Sequence, residues 1–229
     1  MKRFVRLFVL VCWGYLSAGA QPPVEVYFAE AHRTAWQQLQ DYTPLARHLL
    51  GDTSVAEAWA VVYPELLRYS LLRDEVEMYV LRQLYVRYGA GYANFSVGLF
   101  QMKPSFAETV EQLARRYGCD CPLAFTETTP EQQRRQRLQC LTQIEGQLLY
   151  LKAFLCVAYA RFPALSQMPP EKRIPFLAAL YNYGIEASEE EIRSWMKVKA
   201  FPYGRYHTIR YAYAALAWRF YEQWTLQKP

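Results

Sequence analysis

The sequence predicts an all-α fold, and three observations carry that expectation. Apolar residues recur at helical rather than alternating spacing through almost every segment of the 229-residue chain. The segment boundaries carry helix-start and helix-stop chemistry. Finally, Leu148 to Tyr159, reading LLYLKAFLCVAY, is apolar nearly all round, as a helix buried on every side must be. That run is too short for a membrane span, which takes ~20 residues.

Taken in order, the periodicity predicts helices near 24–40, 54–71, 74–88, 104–117, 130–161, 170–183, 188–198 and 205–225. Ser54 with Glu57 and Ser188 with Glu191 have the capping-box spacing, in which Ser satisfies a first-turn amide and Glu reaches back to the cap. Pro104 and Pro130 suit first turns, where a missing N–H costs nothing, and Gly89, Gly118 and Gly184 suit left-handed stops. Asp74, Glu75 and Glu77 read as a solvated helix N-terminus matched to its dipole. Tyr203, Tyr206, Tyr211 and Tyr213 read as amphipathic filler between helices rather than as ligand contacts. Without an internal repeat or a linker, residues 21–229 read as one domain with room for a sizeable core.

The first 20 residues have the pattern of a secretory signal: Lys2, Arg3 and Arg6, then the apolar run Leu7 to Leu16, then Ala18-Gly19-Ala20. The remainder is expected to be exported. The apolar run is shorter than the ~20 residues of a bilayer anchor, and Val11 stands before Cys12 where lipidation would want a small residue. This segment holds three of the 26 basic residues and no acid, leaving the rest of the chain at +2. So mild a charge gives no argument for nucleic acid.

Four cysteines remain, Cys119, Cys121, Cys140 and Cys156, and an oxidising compartment permits disulfides. If 130–161 is one helix, Cys140 and Cys156 lie ~24 Å apart at ~1.5 Å per residue and cannot bridge each other. The expectation is therefore at most one bridge, from Cys119 or Cys121 to Cys140, with Cys156 a buried free thiol. Cys-x-Cys without a nearby His matches zinc spacing poorly, and no metal or cofactor is expected.

Glu65 is the candidate for chemistry. It follows Trp59-Ala60-Val61-Val62-Tyr63-Pro64 and precedes Leu66-Leu67, a lone acid in an apolar neighbourhood. Desolvation there raises a carboxyl pKa, and an acid that keeps its proton to near-neutral pH is what protonation of a glycosidic oxygen requires. On composition alone, the commoner meaning of an acid just after a proline is a dipole-matched first turn. Two further strings change that balance: FSVGLFQMKP at Phe95 to Pro104 and ALYNYG at Ala179 to Gly184. Gly98 would let backbone approach a ligand, and Gln101 offers both a donor and an acceptor.

In this order, Glu65, the turn Gly98-Leu99-Phe100-Gln101 before Pro104, and Tyr181-Asn182-Tyr183-Gly184 resemble the signature of the lytic transglycosylase and goose-type lysozyme superfamily over Ser54 to Gly184. The resemblance implies a lysozyme-like helical domain acting on the glycan strands of bacterial peptidoglycan, with Glu65 as catalytic acid. It implies a groove contributed by Gln101, Phe100, Ser96, Tyr181 and Asn182, the Tyr reaching the acid from a later helix. The interval from Glu65 to Gln101 is about twice that of the family, so Arg73 to Tyr88 reads as an inserted helix, and the chain before Ser54 as an extra N-terminal helical layer. Where family members carry a Ser that holds the acid, Tyr92 stands near the aligned position, with Ser96 or Asn94 as substitutes. Phe100 replaces Met and Tyr183 replaces Ala, changes expected to narrow the groove.

Hydrolysing glycosidases use a second carboxylate, and no Asp or Glu occurs from Met78 to Ala107. The expected activity is therefore that of an exported, periplasmic lytic transglycosylase. In that reaction one Glu acts as acid and then base, and the product is 1,6-anhydro-muramic acid. The alternatives are a lysozyme-like hydrolase and a catalytically silent peptidoglycan-binding scaffold. The expected partners are glycan strands and cell-envelope machinery.

Overall fold

The computed structural model describes residues 21–69, 75–120, 123, 129–203 and 209–227, so the expected signal segment and Cys121 lie outside the described residues. The chain is all-α. Its helices are α1 (Val24–Tyr27), α2 (Ala29–Leu50), α3 (Asp52–Tyr69), α4 (Glu75–Val80), α5 (Val86–Tyr88), α6 (Pro104–Arg116), α7 (Pro130–Thr142), α8 (Ile144–Arg161), α9 (Pro170–Tyr183), α10 (Glu189–Trp195) and α11 (Tyr213–Leu226). A π turn, Leu81–Tyr85, joins α4 to α5, and a 3₁₀ turn, Pro163–Gln167, follows α8. Strands β1 (Lys199–Phe201) and β2 (Tyr211–Ala212) pair antiparallel just before α11. No helix among the described residues is long and apolar enough to cross a membrane.

The apolar run singled out in the sequence is the hub. Leu148, Tyr150, Leu151, Phe154 and Val157 on α8 are fully buried, and α8 touches α2, α3, α6, α7 and α9. On one side α3, α9 and α11 pack against one another, and α2 lies across α3 and α8 as the N-terminal layer. Two buried ion clusters lock this arrangement. Glu57 on α3 accepts from Arg173 Nε at 2.8 Å and Tyr159 Oη at 2.7 Å, tying α3, α9 and α8. Arg137 on α7 grips Glu111 on α6 through Nε and Nη2, both at 2.6 Å, while Tyr150 of α8 donates to the same carboxylate at 2.6 Å. The Arg137 Nη1 donates to Tyr85 Oη at 2.8 Å, so the π turn joins this cluster.

Several boundaries differ from the sequence expectation. Helix 24–40 is interrupted at Phe28 and runs on to Leu50. The Ser54–Glu57 capping box does not form, because α3 begins at Asp52 and the Glu57 carboxylate is taken by Arg173 and Tyr159. The Ser188–Glu191 box does form, with Ser188 Oγ accepting from Glu191 N and Glu191 Oε2 accepting from Ser188 N. The last helix starts at Tyr213, since residues 211–212 are paired with β1.

The most consequential correction lies at 130–161, which is two helices and not one. Gln143 is extended (φ −112°, ψ 140°), and α7 and α8 fold against each other. Gly146 makes the reversal possible: a Cβ there would lie 2.1 Å from the Cys140 carbonyl oxygen. The expected pairing of Cys119 or Cys121 with Cys140 fails with the straight helix it was based on. Instead Cys119, just past the end of α6, is bridged to Cys156 in α8 with Cα atoms 6.1 Å apart, and among the described residues Cys140 is a free thiol. Non-reducing peptide mapping is expected to recover a Cys119–Cys156 peptide with Cys140 alkylated. Replacing Cys156 by Ala should lower stability by about 2–4 kcal/mol, as expected for opening a closed loop of this length. A recovered Cys119–Cys140 peptide would contradict the geometry.

Candidate active site

Glu65 lies inside α3, four residues before its end, with Pro64 also within the helix. This removes the first-turn explanation for an acid after Pro64. The residue is 5% exposed and lines a cleft of about 900 Å³. Three helices meet there. Asn182 of α9 points its Nδ2 at Glu65 Oε1 from 3.5 Å, and Arg68, one turn along α3, brings Nη1 to 3.9 Å from Oε2. The Tyr213 hydroxyl of α11 lies against the carboxyl while donating to Val61 O at 3.0 Å. Oε2 has no hydrogen-bond partner among the described residues. Desolvation dominates this environment and raises the Glu65 pKa to about 7, against the weaker opposing pull of Arg68, Asn182 and Lys103. The Tyr213 hydroxyl has one proton, and while Val61 O takes it, Tyr213 can only accept from Glu65. That arrangement favours the neutral acid, so we assign Tyr213 to the side of desolvation rather than to the opposing side.

The turn at 97–102 forms the facing wall. Val97 and Met102 pair as an antiparallel bridge, with reciprocal N–H···O bonds of 2.9 and 3.1 Å, and the intervening residues reverse the chain. Gly98 is required twice over: its φ is +69°, and a Cβ would lie 2.4 Å from Gln147 Nε2 and 2.5 Å from Leu141 O. Gln101 also adopts positive φ, 51°, a conformation rare for a non-glycine residue. Its side chain lines the cleft and folds back, Nε2 donating to Gly98 O at 2.9 Å.

The sequence-predicted residues divide clearly. Glu65, Gln101, Ser96, Tyr181 and Asn182 all line the one cleft. Phe100 does not: it is fully buried, with its ring 6.0 Å from that of Trp59, so the expected narrowing of the groove by this residue is absent. Tyr181 directs its hydroxyl to Phe100 O at 2.8 Å rather than to the acid. Asn94, offered as a substitute for the missing Ser, is instead bonded to Ser105 N and Oγ at the start of α6. Tyr183 lies at the rim, 45% exposed, with its ring 5.1 Å from Trp195.

Sequence reasoning missed several cleft residues. Trp195, Tyr203, Arg68, Lys103, Glu186 and Glu191 line it, and no motif spacing connects them to Glu65. Tyr203, read as filler, donates to Asn182 Oδ1 at 2.6 Å, beside the Trp195 Nε1 donor at 2.9 Å. The one usable signal was the clustering of aromatics after Gly184. Of the acids read as a solvated helix N-terminus, Glu77 is exposed and does not line the cleft, and Asp74 lies outside the described residues.

Two outcomes follow for variants. Gly98→Ala should lower stability by about 2 kcal/mol or more, because backbone strain and overlap with Gln147 combine; a denaturation midpoint equal to wild type would contradict the close approach. For Glu65, the folded chain keeps the proton to about pH 7, whereas the ordinary value is 4.5. Between these values the native state binds more protons than the unfolded state, so stability falls as pH rises, by about 3 kcal/mol over the window. Glu65→Gln removes that dependence. Relative to wild type, the variant should gain stability on passing from pH 4 to pH 8, measured by urea denaturation, and an identical difference at both values would exclude a raised pKa.

No family model, curated protein or solved structure matches the chain, so the cleft is read on its own geometry.

Proposed function

We propose that this chain is an exported, periplasmic lytic transglycosylase that cuts the β-1,4 bonds between N-acetylmuramic acid and N-acetylglucosamine in peptidoglycan. The observation that carries the reading is a buried, under-paired carboxylic acid, Glu65, on the wall of an open cleft that the 97–102 turn also lines through Gln101 and Met102. The lining suits a glycan. Tyr183, Trp195 and Tyr203 offer ring faces on one side, and Ser96, Gln101, Ser105 and Thr109 offer hydroxyl and amide groups for sugar hydroxyls and N-acetyl groups.

The reaction follows from the protonation state of Glu65. The neutral acid gives its proton to the glycosidic oxygen as the bond to the muramic acid C1 breaks. The resulting carboxylate has the Arg68 guanidinium 3.9 Å away to offset its charge. It then takes the proton of the muramic acid C6 hydroxyl as that oxygen closes on C1, giving the 1,6-anhydro ring and restoring the neutral acid without consuming water. A pKa near 7 serves both halves, since the group must lose and regain one proton at the same pH.

One observation favours a second reading, a hydrolase: Glu186 and Glu191 line the same cleft, so folding brings carboxylates that the chain order did not place near the turn. Mass spectrometry of digested peptidoglycan separates the readings. The expected product carries 1,6-anhydro-muramic ends, with release falling at least about 10²-fold in Glu65→Gln and declining in wild type above about pH 7. Reducing muramic ends would identify a hydrolase, and equal release by both proteins would remove Glu65 from the reaction.

A further inference from the structure

Asn182 lines the cleft and turns its side-chain amide toward Glu65. An amide presents either a donor or an acceptor to a neighbour, depending on a half-turn about its last bond. Here the choice is made by two other residues. Trp195 Nε1, at the end of α10, donates to Asn182 Oδ1 at 2.9 Å, and the Tyr203 hydroxyl, just beyond β1, donates to the same oxygen at 2.6 Å. The indole N–H can only donate, so Oδ1 must be the atom that faces it. With both lone pairs of Oδ1 engaged, Nδ2 is left toward Glu65 Oε1 at 3.5 Å.

We propose that Trp195 and Tyr203 are positioning residues for Glu65: together they lock the Asn182 amide with its donor end toward the carboxyl. The proposal rests on the reading of Glu65 as a group that must hold and release one proton, but the lock itself is a property of the free protein. Donation from Nδ2 stabilises the carboxylate that follows proton release, whereas a flipped amide would present Oδ1 and stabilise only the neutral acid. The lock therefore moderates the burial of Glu65 and keeps its proton exchangeable near neutrality. The other charged or titratable groups that act on Glu65 among the described residues are Arg68 on its own helix, Lys103 before α6, Tyr181 on α9, Tyr203 itself and Tyr213 on α11. Only Tyr203 among these also touches Asn182. Trp195 and Tyr203 themselves line the cleft, so each joins a polar tip at Asn182 to an aromatic ring in the cleft lining.

The test is a carboxyl NMR titration of Glu65 in the intact chain without glycan, so it succeeds or fails independently of product analysis. Trp195→Phe and Tyr203→Phe each remove one donor and keep a ring; the double variant frees the amide. The Glu65 pKa is expected to rise by about one unit in the double variant, to rise less in each single variant, and to rise in Asn182→Ala. An unchanged pKa in the folded double variant overturns the proposal, whether or not Asn182→Ala shifts it. If the double variant does not fold, the order parameter of the Asn182 Nδ2 amide in the single variants decides. It should fall when either donor is lost, and an order parameter equal to wild type in both overturns the lock.

Discussion

Everything near the cleft answers to one constraint, a carboxyl taken out of water without a full set of partners. Three glutamates among the described residues are buried: Glu57, Glu65 and Glu111. Two of them are paid in full by an arginine and a tyrosine, Glu111 through a bidentate Arg137 and Glu57 through Arg173, all at 2.6–2.8 Å. A buried charge so paired is tolerated, and its role is to hold helices in register. Glu65 has an arginine only at 3.9 Å, an amide at 3.5 Å, the Tyr213 hydroxyl against it, and one oxygen with no hydrogen-bond partner among the described residues. The fold thus has the means to neutralise a buried acid and does not apply them at Glu65. Under-pairing at one acid of three, on the wall of the cleft, is a chemical feature rather than a packing accident.

An acid of this kind is useful only if the opposite wall stays fixed, and Phe100 fixes it. Its ring lies against Trp59 of α3, its N–H donates to Gln147 of α8 at 2.8 Å, and its carbonyl accepts from Tyr181 of α9 at 2.8 Å. One turn residue is therefore tethered to three helices, including the helix that carries Glu65. Gly98 lets the turn sit hard against Gln147, and the bend at Gln143 brings Gln147 and Leu141 to opposite ends of the same contact. The helix break and the turn are parts of one construction. Phe100 belongs to the supporting structure and not to the groove.

The all-α class and the buried α8 were legible because each depends on local pattern, whereas Glu65, Gln101, Ser96, Tyr181 and Asn182, which line one cleft, were grouped by the order of the motifs in the resemblance. A 3.6-residue period and a proline at a first turn are written in consecutive residues. The reversal at Gln143 was not, because Gly146 inside a helical pattern is usually tolerated. Its meaning here comes from a carbonyl of the preceding helix that approaches only after folding. The disulfide inherited that error. Trp195 and Tyr203 were illegible for a related reason: their contact with Asn182 spans 13 and 21 residues across helix ends and a strand, distances at which no periodicity constrains geometry. The Ser54–Glu57 box failed because an arginine 116 residues away competed for the same carboxylate.

The choice between one carboxylate and two also changes when read in space. The stretch from Met78 to Ala107 lacks acids, yet Glu186 and Glu191 come to the cleft from the far side of Gly184. These two are not equivalent candidates for a base. Glu191 closes the capping box of α10, its Oε2 accepting from Ser188 N at 2.8 Å and from Ser188 Oγ at 2.7 Å. Those bonds hold its pKa below the ordinary carboxylate range, which makes it a poor proton acceptor. A water-activating role would therefore fall on Glu186, an exposed residue beside the backbone carbonyls gripped by Arg161. Burial moves the Glu65 pKa toward neutrality, and a reaction that asks the same group to give and retake a proton makes fullest use of it.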